Sequence, residues 1–153
     1  MKPFILATAL ITIATGHAMA SPADDAQIRD IIADIERGWE TGDGAPFREH
    51  LLNFEEARYF ESGGENTGLD DLVDHHVTPE KDAIPDLDLS FENIQINYEA
   101  DFAWALADTA ITGTLAKTGE HLDRTGKQTI LLRRVDGVWK VVHTHSSSRA
   151  ARK

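Results

Sequence analysis

Apolar residues Ile28, Ile31, Ile32, Ile35 and Trp39 recur at i, i+3, i+4, i+7 and i+11, a single stripe at helical period. The spacing predicts one long amphipathic helix, with Asp24 and Asp25 placed to cap it and Thr41-Gly42 to end it. A shorter helix is expected over 45–52, with Pro46 in its first turn and Phe47, Leu51 and Leu52 turned inward. The alternating stretch from Ala57 to Glu61 predicts a short strand closed by a Ser62-Gly63-Gly64 turn. Leu69, Leu72, Val73 and His76 then share one helical face, and Thr78-Pro79 is expected to break that helix and cap a further turn.

Beyond residue 86 the period changes from helical to strand-like. Segments 87–98, 102–115, 127–135 and 138–147 read as strands, and Asp136-Gly137 between the last two is a hairpin signal because both residues tolerate positive φ. Leu87, Leu89 and Phe91 occupy odd positions while Ile94, Ile96 and Tyr98 occupy even ones, a switch that a β-bulge near Glu92-Asn93 explains. Helices first and a bent, mostly antiparallel sheet afterwards predict an α+β fold. The expected shape is a cone, its curved sheet wrapped around the long N-terminal helix, with a pocket at the open end.

The first twenty residues follow another pattern. Lys2, the apolar run from Phe4 to Ile13 and the small-x-small Ala18-Met19-Ala20 read as a signal peptide over 1–20, cleaved before Ser21 and leaving one domain over 21–153. The run is too short for a permanent membrane span, so no membrane association is expected after cleavage. The absence of cysteine excludes a disulfide framework, a thiolate metal site and a cysteine nucleophile, and with export it fits a periplasmic or secreted protein.

Lys+Arg 15 against Asp+Glu 26 argues against nucleic acid and anionic membrane surfaces as partners, since both rest on basic side chains. Residues 21–101 hold 22 acidic and 5 basic side chains, whereas 102–153 hold 4 and 9. No Pro/Gly/Ser-rich linker separates these parts, so one domain with mutually attracting halves is expected.

Several segments in order carry a family likeness. They are Trp39-Glu40-Thr41-Gly42-Asp43, the strand end Glu61-Ser62-Gly63-Gly64, Asp74-His75-His76 followed by Pro79-Glu80, and the closing run from Arg133 to Ser147 with its Gly-x-Trp-x-x-x-His-x-His-x-Ser spacing. The chain resembles SnoaL-like proteins of the nuclear transport factor two superfamily. The final hairpin is also similar to the association domain of calmodulin-dependent protein kinases. The resemblance implies a cone-shaped α+β barrel, commonly dimeric, with a hydrophobic pocket between sheet and helices. Activity does not follow from it, because the superfamily includes ketosteroid isomerases, polyketide cyclases, hydrolases and oligomerisation modules.

Candidate chemistry centres on histidines and on one strand end. His143 and His145 lie two apart on a strand and are expected on one face with Trp139 and Val141, offering proton transfer near neutral pH or two metal ligands. His76 is the better pocket candidate of its pair, while His75 can pair with Asp71 four residues earlier. Tyr59 and Glu61 share a strand face, where a phenol and a carboxylate suit acid/base work on a carbonyl compound. Trp39, Phe60, Leu72 and Trp104 are the expected apolar contacts for a small-molecule ligand. No phosphate loop, G-x-S-x-G elbow or H-E-x-x-H motif is present, and no cofactor is expected.

Three readings stay open at this level. They are a cone pocket for a small, largely apolar molecule, with or without turnover; a metal site on His76, His143 and His145; and a dimerisation module without ligand. A homodimer joined through the outer sheet face, using residues such as Ala103, Ala105, Ile130 and Leu132, is expected.

Overall fold

The computed structural model describes residues 21–152, so the expected signal segment lies outside the described residues. Helix α1 runs Pro22–Thr41 and buries Ile28, Ile31, Ile32 and Ile35, the stripe that the spacing predicts. Its N-cap is Ser21: the hydroxyl accepts from the Asp24 amide, and the Asp24 side chain accepts from the Ser21 amide in return. Asp24 thus completes a capping box from inside the first turn. Gly42 ends the helix at φ 67, a left-handed conformation that glycine adopts without strain.

Helix α2 (Ala45–His50) buries Phe47, and α3 (Leu69–Leu72) runs through a π-helical turn (Val73–Val77) into α4 (Thr78–Ala83). The break expected at Thr78-Pro79 does not occur. Pro79 falls in the first turn of α4, where its missing N–H costs nothing, and the chain stays helical through it.

Among the described residues six strands form one sheet: β1 (Arg58–Glu61), β2 (Gly64–Thr67), β3 (Asp88–Glu99), β4 (Phe102–Thr114), β5 (His121–Val135) and β6 (Val138–Ala150), in the order β2-β1-β6-β5-β4-β3. Only β1 against β6 is parallel. The chain continues from the Ser62-Gly63 turn into β2, a polar strand that alternation does not predict. The bulge expected near Glu92-Asn93 is present, with the β3–β4 register shifting between Glu92 and Gln95 and Asn93 at φ 52. Asp136 and Gly137 both have positive φ, as a tight hairpin with right-handed strand twist requires.

A second register shift decides the site. Leu131 pairs with His143 but Leu132 with Val141, so Val142 is an extra residue on β6. Such a bulge reverses the facing of everything after it. Trp139 and Val141 are fully buried inside the cone; beyond the bulge Thr144 and Ser146 face inward, and His143 and His145 turn out. Ala103, Ala105, Ile130 and Leu132, expected on the outer face, are at most 1% exposed and belong to the core. The outer face instead carries Phe102, Trp104 and Leu106.

A charged clasp ties the start of α1 to the last hairpin. Asp24 Oδ1 accepts from the Trp139 indole Nε1 and from Arg134 Nη2, each at 2.9 Å, and the Arg134 guanidinium lies 4.5 Å above the Trp139 ring. The Ser21 amide, with the indole and the guanidinium, holds the Asp24 carboxyl well below the usual carboxylate range despite its burial.

Candidate functional site

The sheet curls over α1 without filling the space, leaving a cavity of about 180 Å³. Trp39 and Ile35 of α1, Phe47 of α2, Leu72 of α3 and Ile84 beyond α4 form its apolar helical side. Tyr59, Ile130, Phe91 and Ile111 contribute from the sheet, so the apolar wall continues across strands. Polar side chains interrupt it at Glu61, Asn66, Glu80, Thr109, Gln128, Thr144, Ser146 and Arg124.

Two carboxylates face this space, and a histidine stands behind one of them. His76 Nε2 lies 3.2 Å from Glu61 Oε2, and its Nδ1 lies 3.0 Å from the Asn66 amide nitrogen. The Asn66 amide donates, which makes Nδ1 the acceptor and leaves Nε2–H to donate to Glu61. The edge of Trp39 packs on the imidazole at 4.9 Å between centroids and fixes its plane. Both ring nitrogens are therefore engaged, and the group offered to the cavity is Glu61.

Glu80, four residues after His76, is the second carboxylate. Burial raises its pKa and the nearby Glu61 adds to the rise, while His76 opposes it. An ionised Glu80 is thus a cost that the folded state carries at neutral pH. Replacing Glu80 with Gln is expected to stabilise the protein at pH 7. Because the folded pKa is the higher one, the wild type's deficit opens as pH rises through it and disappears below the unfolded carboxyl value of about 4.3. Urea unfolding at pH 4 and 7 checks this, and equal stabilities of variant and wild type at pH 7 would contradict it.

Tyr59 is 1% exposed, lies on the cavity wall, and its hydroxyl has no hydrogen-bond partner among the described residues. Burial pushes its pKa up to about 12, which keeps the phenol a donor at any physiological pH.

The structure brings together Trp39, Leu72, Tyr59 and Glu61 at the cavity, with His76 directly behind. It does not bring His143 or His145 there. Their imidazoles pack edge-on against the Phe60 ring, at 4.9 and 5.8 Å, and His143 Nδ1 lies 2.6 Å from the Arg58 carbonyl. Phe60 borders the cavity, but its ring belongs to this outer cluster. Trp104 also lies on the outer face, 6.4 Å from Phe102. His75 is exposed, and the Asp71 carboxylate accepts from the Thr67 amide. Among the described residues no three His, Asp or Glu side chains converge as a metal site would require, so His76, His143 and His145 do not form one. Glu80, Asn66, Gln128 and Arg124 were missed from the sequence; only Glu80, at i+4 from His76, carried a usable signal.

The SnoaL-like domain family matches residues 28–151, and the chain belongs to that family. No curated protein matches it in sequence. Among solved structures it is similar to a nuclear transport factor 2 (NTF2-like) superfamily protein from Salmonella enterica subsp. enterica serovar Typhimurium str. LT2, with TM-score 0.75, 16% identity, and 84% of this chain and 92% of that one covered. The hexachlorocyclohexane dehydrochlorinase LinA-type3 from Novosphingobium barchaimii LL02 gives TM-score 0.71 at 22% identity, covering 83% and 87%. An uncharacterized protein with a cystatin-like fold from Caulobacter vibrioides gives 0.68 at 19%, covering 82% and 89%. At these identities the likeness shows the fold. Among the described residues no helix is long and apolar enough to cross a membrane.

Proposed function

We propose that the cone binds a small, largely apolar molecule carrying a hydrogen-bond acceptor such as a carbonyl, and transfers a proton on it. The observation that carries this reading is the unfilled cavity whose apolar walls converge on Glu61 and Glu80, with a buried, unpartnered phenol at Tyr59. A buried hydroxyl without a partner costs about 1 to 3 kcal/mol, and a ligand acceptor recovers that cost. Glu61, held by His76 Nε2, and Glu80 are the two carboxyl groups on the cavity wall that can exchange a proton with the ligand.

The test compares 2-acetylnaphthalene with 2-ethylnaphthalene, which lacks the carbonyl, by tryptophan fluorescence. Tyr59→Phe should weaken the ketone about tenfold and leave the hydrocarbon unchanged. Equal loss for both, or none for either, would sink the role of the phenol.

Two further parts of the proposal concern the whole protein. It is exported and begins at Ser21, so N-terminal sequencing that finds Met1 on a cytoplasmic pool contradicts it. It is also a homodimer through Phe102, Trp104 and Leu106, of which Phe102 and Leu106 are 36% and 41% exposed. Leu106→Lys should then give a monomer by light scattering, and a wild type that is already monomeric at micromolar concentration contradicts the interface.

A further inference from the structure

Among the described residues only two arginines are not exposed, Arg124 and Arg134. Arg134 pairs with Asp24 and Asp101, and the exposed Arg29, Arg37, Arg48 and Arg58 each pair with at least one carboxylate. Arg124 lines the cavity and pairs with none, in a chain that has 26 acidic side chains to offer. Its guanidinium is nonetheless held in place, Nε donating to Ser148 Oγ at 3.0 Å and Nη2 to the Ser148 carbonyl at 3.1 Å. Arginine has five N–H donors, so a fixed fork remains for a further acceptor.

The register sets where this fork stands relative to the carboxylates. Glu61 pairs with Ser146, and Ser146 with Gln128, so Glu61 lies level with a β5 residue four positions from Arg124. Four residues of strand span about 13 Å, which separates the cationic end of the cavity from the Glu61 end. Thr109, Gln128 and Ser146 supply a neutral polar wall between them.

We infer that Arg124 is an anion subsite, and that the molecule taken by the cone is an amphipathic acid: an apolar body that carries a carboxylate toward Arg124 and its reacting carbon toward Glu61. This rests on the pocket being a binding site and adds the class of ligand. A half-buried, preorganised guanidinium pairs with a carboxylate through charge-assisted hydrogen bonds, whereas a neutral ligand would leave it without an anion.

The experiment titrates the purified protein with 2-naphthoate, its neutral counterpart 2-naphthamide, and 2-acetylnaphthalene at pH 7.5. Naphthoate should bind about tenfold more tightly than naphthamide in dilute buffer, and the gap should narrow at about 0.5 M salt. Arg124→Gln should remove the preference by weakening naphthoate far more than naphthamide, and Arg124→Lys should retain part of it. Should Arg124→Gln fail to fold by circular dichroism, the salt response of the wild type and the Lys variant decide instead. Equal affinity for acid and amide, or ketone binding without naphthoate binding, overturns the anion subsite and leaves the pocket standing. Failure of all three probes to bind overturns the pocket and the subsite together.

Discussion

Asp24→Ala is expected to lower the unfolding free energy by about 3 to 5 kcal/mol, the range for removing one partner of a buried ion pair. Three losses coincide at that residue. The capping box at the head of α1 opens, the Trp139 indole N–H loses its acceptor in a fully buried position, and Arg134 is left inside without its closest anion. For a domain whose total stability is about 5 to 15 kcal/mol, that is a fifth or more of the whole. Asp24 also has a depressed folded pKa, so its contribution is present above the unfolded carboxyl value of about 3.9 and is lost as pH falls below it. Urea denaturation of wild type and variant at pH 7 and pH 3 measures both effects. A difference under about 1 kcal/mol at pH 7 would mean that the clasp is a bystander to the packing around it.

The second large effect concerns binding rather than stability. Thr144 faces the cavity from β6, half-buried, beside Tyr59 and level with Ile130. A tryptophan there would put its indole into space that is empty, so the cost to folding should stay within about 1 to 3 kcal/mol. Affinity for any apolar ligand should fall at least about a hundredfold, because the ring occupies the volume that the ligand needs. A variant that folds and still binds at wild-type strength would place the ligand elsewhere.

How much of this was readable beforehand depends on whether hydrophobic positions reported facing. In α1 they did: four isoleucines at helical spacing could pack only on one side. The β3 bulge was readable too, because Leu87, Leu89 and Phe91 changed phase to Ile94, Ile96 and Tyr98 with Asn93 between them. The β6 bulge was not. Trp139 and Val141 alternate with Val138, Lys140 and Val142, so both rows are partly apolar and the extra residue at Val142 leaves no phase change to see. That one residue moved His143 and His145 from the expected pocket to the outer face.

The site was legible to the same degree. That Tyr59 and Glu61 share a face was readable because a short strand fixes it, and that His76 turns toward the core because it continues the apolar face of Leu69, Leu72 and Val73. Its actual place behind Glu61 depends on Asn66, which sits on β2, a strand too short and polar to announce itself. Arg124 looked like any other basic residue of the acidic chain's C-terminal part. Its meaning came from the register that turned it inward and from the carboxylates that are not beside it.

The central claim is that the cone is a ligand pocket rather than an imperfectly packed core, and calorimetric titration of the wild type and Thr144→Trp with 2-acetylnaphthalene tests it most directly. The prediction is saturable binding at one molecule per chain in the wild type and none in the folded variant. Absence of saturable binding in the wild type, or an unchanged isotherm in the variant, would contradict it.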